Sequence, residues 1–419
     1  MDFERKLDQF AELIVKVGIN VQPGQPLIMN GPSLTRGVPL ETAPLVRKIA
    51  EHAYKAGSPF VDVLWDDPEM SKIRLGLSDV EALEAHFPSW RTEGVYKALS
   101  EGAALFTLYA VDPNVFTGID SKKVSTAQRQ MESHWAVALD LIIRNTTNWG
   151  LTSMPVEGWA TKVFPELAPA AAIDKLWETI FQLSRIDNDD PVAAWKTHIA
   201  NLESRANYLN AKQYDWLHYR GPGTDLKVGL PANHRWSSAK ITSSKGVDYV
   251  ANIPTEEIFT APDRNRAEGI VQATLPLNYS GTLIEEFSVR FKDGRVVGAE
   301  ANQGQEALDH LIATDEGAAR LGEAALVPQS SPIAQSGILF YNTLFDENAS
   351  CHIALGSAPR ESVEGGEAMS DEEFAAVGGN QSLIHVDFMI GSNKLDIDGL
   401  DKDGNTEPVM RKGEWVFSV

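Results

Sequence analysis

Phe3, Leu7, Phe10, Ile14 and Val17 recur at three- to four-residue spacing, which predicts an amphipathic helix at the head of the chain. Next comes "QPLIMNG", a short apolar run bounded by Pro and Gly, the signature of a buried strand. "PLVRKIAEHAYKAGS" returns to helical spacing and closes at Gly57, a residue suited to a left-handed cap. "PFVDVLWDD" and "AALFTLYAV" read as further strands, with a charged, helix-forming segment from about Ser78 between them. Strand, helix and strand in this order predict a parallel α/β sheet. From "STAQRQMESHWAVALDLIIRN" to "WKTHIANLESRANYLNAKQ" the pattern is mostly helical.

The pattern changes near Asp215. "YDWLHYR", "TDLKVGL" and "GTLIEEFSVRFKDGRVVGAEA" alternate or run apolar between glycine-containing turns, and "KDGR" at 292–295 is an Asp-Gly hairpin signal. One helical stretch interrupts, Gly304 to Val327, with Asp315 and Glu316 opening its second half. The boundary falls at roughly 205–215. The expectation is an N-terminal α/β domain with a parallel sheet over 1–210 and a mainly β (α+β) C-terminal domain over 211–419.

Within the second half, "NQSLIHVDFMIGS" (380–392) places two polar residues inside an apolar run. Strand side chains alternate faces, so Leu383, His385, Asp387 and Met389 project one way. Ile384, Val386, Phe388 and Ile390 project the other way, towards a core. A buried carboxylate costs several kcal/mol unless something pairs with it. Either a partner residue or a cation must therefore stand beside Asp387.

Composition narrows the field. The chain has 419 residues, 43% hydrophobic, and a formal net charge of -21. That charge argues against a nucleic-acid partner, which needs a basic stripe. The single cysteine, Cys351, leaves no room for an internal disulfide framework and fits a reducing cytoplasm. The charged N-terminus lacks the apolar centre of a signal peptide, and no apolar run is long enough to span a membrane.

Partners for His385 and Asp387 exist in the same half. His352 follows the polar cluster Asp346, Glu347 and Asn348; Glu323 stands between Gly322 and Ala324; Glu256 and Glu257 lie between Pro254 and Pro262. Two histidines with several carboxylates suit Zn, Co or Mn. Ordinary structure accounts for each residue singly: a hydrogen-bonded core histidine, a solvated Glu-Glu turn, a surface Glu on a helix. No HExxH is present, so any ligands come from distant segments. His52, His86, His134, His198 and His310 lie on helical patterns and read as structural or surface residues. No GxGxxG follows a strand and no GxxxxGK[ST] occurs, which disfavours a nucleotide site.

"NIPTEEIFTAP", "RLGEAALV", "LFDENASCHIALG" and "NQSLIHVDFMIGS", in this order, resemble the thermophilic-type metalloaminopeptidases, the M29 peptidase family. "GINVQPGQPL", "GPGTDLKVGL" and "DIDGLDKDG" extend the resemblance over almost the whole chain. It implies two divalent metal ions (Zn, Co or Mg/Mn) held by Glu257, Glu323, His352, His385 and Asp387, with Glu323 bridging. It implies release of N-terminal amino acids from peptides with a free N-terminus by a metal-activated hydroxide, in a cytoplasmic homodimer. Glu256, next to a ligand, is the candidate general base or proton shuttle. Pro359 stands where the family commonly carries a tyrosine near the reaction centre, and Tyr341 is another available donor. Two alternatives stay open: another metal-dependent amidase or esterase on the same scaffold, and a catalytically degenerate metal-binding protein.

Overall fold

The computed structural model describes residues 3–279 and 282–419. The chain folds into two compact units, Met1–Thr197 with Lys240–Pro254, and His198–Ala239 with Thr255–Val419.

In the first unit, buried apolar runs make the strands β1 (Leu27–Asn30), β2 (Val61–Val63), β3 (Ala104–Tyr109) and β4 (Trp149–Ser153). With the short strand Asn252–Ile253 they form one sheet, in the order Asn252–Ile253, β4, β3, β1, β2. All its pairings are parallel. Helices supply the crossovers, among them α1 (Ala43–Lys55) and α2 (Ser121–Ile143). The end of α1 shows why Gly57 is needed. Its φ is +95°, and the Ser58 amide reaches back to the Ala53 carbonyl at 3.0 Å while Gly57 bonds Tyr54. Ile28 and Leu105 of the sheet pack with Val95, Leu99, Met131 and Trp135 as one core cluster. The strand β4 is a short interruption in a region whose pattern is mostly helical. "WGLTS" is only five residues long between two helices and offers no periodicity of its own.

The second unit is built from antiparallel strands: β5 (Trp216–Gly221), β6 (Thr224–Gly229), β7 (Ile258–Thr260), β8 (Ala267–Gln272), β9 (Ser288–Lys292), β10 (Arg295–Glu300), β11 (Leu321–Leu326), β12 (His352–Gly356), β13 (His385–Met389), β14 (Asp396–Leu400), β15 (Thr406–Arg411) and β16 (Glu414–Trp415). They form an eight-stranded sheet, β10-β9-β8-β6-β5-β14-β15-β16, and a four-stranded sheet, β7-β11-β12-β13. The β9–β10 hairpin turns on Asp293 and Gly294, both at positive φ, as an Asp-Gly turn of type I′ requires. Gly281, which opens the predicted strand "GTLIEEF", lies outside the described residues.

The helix expected over 304–327 is corrected. Only Gln305–Ile312 is α-helical; Gly317–Ala319 is a single 3-10 turn, and Leu321–Leu326 is the strand β11. Asp315 does cap a turn, accepting from Ala318 N at 2.7 Å, but it also accepts from Leu383 N at 2.6 Å. That second bond ties the turn to the segment entering β13. Every residue of β11 is buried, and a strand buried on both faces carries no alternation to reveal it.

Candidate metal centre

The four-stranded sheet brings the predicted ligands together through its register. Glu323 of β11 pairs with Ala354 of β12, which pairs in turn with Asp387 of β13. Residues opposite one another in a sheet share a face, so Glu323, Ala354 and Asp387 form one row across three strands. His352 lies two residues before Ala354, and His385 two before Asp387, hence on the same face. Between the two acidic residues stands only Ala354, and opposite His385 stands Gly356, leaving open the space larger side chains would fill. A register shift between Leu321 and Glu323 helps aim the Glu323 carboxylate. Gly322 permits it, since a Cβ there would sit 2.4 Å from the carbonyl oxygens of Gly356 and Ser357.

Glu257 immediately precedes β7, which pairs with β11. Asn348 fixes this segment by accepting from Glu256 N at 2.7 Å, while its own amide donates to Leu344 O.

The two histidines are held alike. His352 Nδ1 donates to Ser350 O at 3.1 Å, and His385 Nδ1 donates to Ser357 O at 2.7 Å. Those bonds fix the tautomer and leave each Nε2 facing carboxylates. His352 Nε2 lies 3.0 Å from Glu257 Oε2 and 3.6 Å from Glu323 Oε1. His385 Nε2 lies 3.3 Å from Asp387 Oδ1 and 3.6 Å from Glu323 Oε2. Glu323 thus turns one oxygen to each histidine. Two groups result, Glu257–Glu323–His352 and Glu323–His385–Asp387, each with its ligand atoms within 4.8 Å of one another.

This arrangement fits bound cations. A neutral imidazole with its proton on Nδ1 presents a lone pair at Nε2, so acceptor meets acceptor at both histidines. Glu257 Oε2 and Asp387 Oδ1 are cut off from solvent without a hydrogen bond. Protons answer the same need where no cation does. Burial opposes charge on His352, but Glu257 and Glu323 outweigh it and hold its pKa well above the usual histidine value. Burial likewise opposes charge on His385, and Asp387 and Glu323 overcome it, raising the pKa to about 10. Burial pushes Glu323 up, with His352 pulling against it. Asp387 is held below its usual value because His385 outweighs the cost of its burial. The His352 side chain is 1% exposed and that of His385 37%, so the centre has a dry floor and a wet rim.

Two neighbours were given no role in the site by the sequence pattern. His198, on the helix Pro191–Lys212, donates from Nε2 to Thr255 O at 2.8 Å and stands 3.6 Å from Glu256 Oε2. Glu347 is buried, its pKa pushed well above the ordinary carboxylate range by burial and then by Asp387 and Glu257. Its position in "DENASCH", five residues before a histidine ligand candidate, was the available signal. Pro359 leads into the 3-10 turn Arg360–Ser362, and Tyr341 lies in the loop whose Phe340 and Asn342 amides hold Asp346.

The family model described as thermophilic metalloprotease (M29) matches residues 3–415, and the chain belongs to that family of peptide hydrolases. The chain is 46% identical over 417 residues to Aminopeptidase 2 of Geobacillus stearothermophilus, covering 100% of this chain and 99% of that protein. It is 44% identical over 414 residues to Aminopeptidase T of Thermus thermophilus, covering 99% of each. The solved structure of wild-type AmpT from Thermus thermophilus superposes with a TM-score of 0.91 at 43% identity, over 99% of this chain and 100% of that one.

Proposed function

We propose that the protein is an aminopeptidase that releases N-terminal amino acids from peptides at a centre of two divalent metal ions. The division of the Glu323 carboxylate between His352 and His385 carries this reading. One cation would be held by Glu257, Glu323 and His352, the other by Glu323, His385 and Asp387, all within the catalytic domain assigned to residues 211–419. Zn, Co or Mg/Mn suits these nitrogen and oxygen donors. Bound there, two cations supply water of lowered pKa and polarise the scissile carbonyl.

The chain's residues do the rest. Three ligand carboxylates set three negative charges against four positive ones, leaving about one unit of positive charge for an anionic nucleophile. Glu256, 6% exposed beside Glu257, takes the proton from the attacking water and returns it to the leaving amine. His198 and the Asn348 amide bond hold Glu256 in place. The buried carboxylates favour a substrate with a cationic α-amine, which restricts cleavage to the first residue. The family resemblance further suggests a homodimer, and the lone buried Cys351 suits the cytoplasm. No helix among the described residues is long and apolar enough to cross a membrane.

The test is hydrolysis of a panel of aminoacyl chromogenic substrates, with free and N-acetylated amines, before and after chelation and re-addition of Zn, Co, Mg or Mn. The reading expects chelator-sensitive cleavage of free-amine substrates alone. Equal turnover of acetylated substrates would move the assignment to a metal-dependent amidase or esterase. Metal binding without turnover of any substrate would indicate a degenerate centre.

A further inference from the structure

The first unit carries a half-buried cation with no counter-ion. Arg36 lies in the loop after β1, and among the described residues no carboxylate comes within ion-pair distance of it. Its Nε is cut off from solvent and meets no acceptor. Desolvation of the guanidinium lowers its pKa to about 10, with Tyr109, at the end of β3, acting in the opposite sense. An arginine N–H cut off from solvent normally finds a carboxylate or carbonyl acceptor, because a buried donor is costly to leave unused.

The loop is built to keep Arg36 there. Its φ is +58°, a left-handed conformation that a side chain disfavours. The Gly31 amide bonds Arg36 O at 3.4 Å, and the Arg36 amide bonds Ser33 O at 2.9 Å. Arg91 staples the outside of the turn, donating to Thr35 O at 3.0 Å and to Trp65 O at 2.6 Å. Strain that the surroundings enforce is commonly found where a side chain has work to do.

A second unused donor stands at the end of β1. Asn30 is 0% exposed; its Oδ1 accepts from Thr107 Oγ1 at 2.7 Å, yet its Nδ2 has no acceptor. Asn30 and Thr107 pair across β1 and β3. The strand order reverses between these two strands, since β1 leads outward to β2 and the chain then returns to β3 on the other side. Ligands of open parallel sheets bind at the carboxyl ends of the strands flanking such a reversal.

Trp135 supplies a floor. The Arg36 guanidinium lies 3.9 Å from the centre of its ring, and Trp135 is 5% exposed. A guanidinium in contact with an aromatic ring can still direct N–H groups to a flat, two-oxygen acceptor. One positive charge with an amide donor suits a singly charged planar anion better than a phosphate dianion.

We infer that Arg36, Asn30 and Trp135 form a binding site for a small carboxylate at the carboxyl edge of the parallel sheet, in the unit that does not carry the metal centre. Calorimetric titration of the full-length, metal-stripped protein tests this with three probes: N-acetylalanine, N-acetylalanine amide and inorganic phosphate. N-acetylalanine should bind once per chain and the amide should not. Arg36→Met should weaken binding at least tenfold, while Glu323→Gln leaves it unchanged. Because Met fills similar space without a charge, the Arg36→Met variant should melt at or above the wild-type temperature. No saturable binding of N-acetylalanine, equal binding by Arg36→Met, or binding of phosphate alone overturns the assignment. A lowered melting temperature with unaltered titrations would show that Arg36 only stacks on Trp135.

Discussion

Glu323 and Asp387 stand in one row of the four-stranded sheet, separated only by Ala354. Two carboxylates facing the same small gap repel each other, and a cation between them relieves that repulsion. The gap exists because the intervening side chain is a methyl group. Ala354→Val should therefore weaken metal binding by at least tenfold. Overpacking would cost the fold about 1–3 kcal/mol. Calorimetric metal titration alongside thermal melting of the metal-free protein separates the two effects; unchanged metal affinity would mean that the gap is not the binding space.

Glu256 is expected to move protons without holding metal. Glu256→Gln should lower kcat by roughly 10²–10⁴ while the metal content stays at the wild-type value. His198 acts on Glu256 from 3.6 Å. His198→Ala should lower kcat with little change in KM, and His198→Gln, which can still donate to Thr255 O, should recover part of the loss. Loss of metal from Glu256→Gln would instead make Glu256 a ligand.

A pH effect is expected far from the metal ligands in the sequence. His234 is 2% exposed, and burial pushes its pKa down despite the hydrogen bond from Nδ1 to Pro231 O at 2.8 Å. In the unfolded chain the same side chain takes a proton near pH 6.5. Below that pH the unfolded state binds more protons, so the stability His234 contributes above pH 6.5 is lost as pH falls through its lowered folded value. The slope cannot exceed about 1.4 kcal/mol per pH unit for one group. His234→Asn should flatten the fall in melting temperature between pH 6.5 and 5.5, and identical slopes would refute the assignment.

What the sequence revealed depended on how each residue signals its surroundings. His385 and Asp387 were legible because two polar residues at a spacing of two in an apolar run can only share a strand face. The parallel sheet was legible from its alternation of apolar runs and helical segments, and the Asp293–Gly294 turn from its composition. Glu323 was placed on a helix because "LGEAAL", buried on both faces, has the small residues of a helix and no alternation. The row that joins Glu323, Ala354 and Asp387 is a property of register between segments up to 64 positions apart, which no local pattern encodes. His198 was read as an ordinary helical residue for the same reason: its partners at 255 and 256 come from a distant segment. The unpartnered Arg36 Nε and Asn30 Nδ2 become visible only once every nearby acceptor has been located.

The central claim is that Glu323 joins two metal sites into one centre, and metal titration of Glu323→Gln tests it most directly. Gln keeps the size and hydrogen-bonding reach of Glu but removes the charge that offsets repulsion between two cations, which lie about 3.5–4 Å apart in typical two-metal sites. Calorimetry of the wild-type protein should count two sites. In Glu323→Gln both should weaken together, whereas Glu257→Gln should weaken chiefly the one it shares with His352. Two sites of unchanged affinity in Glu323→Gln would contradict the account.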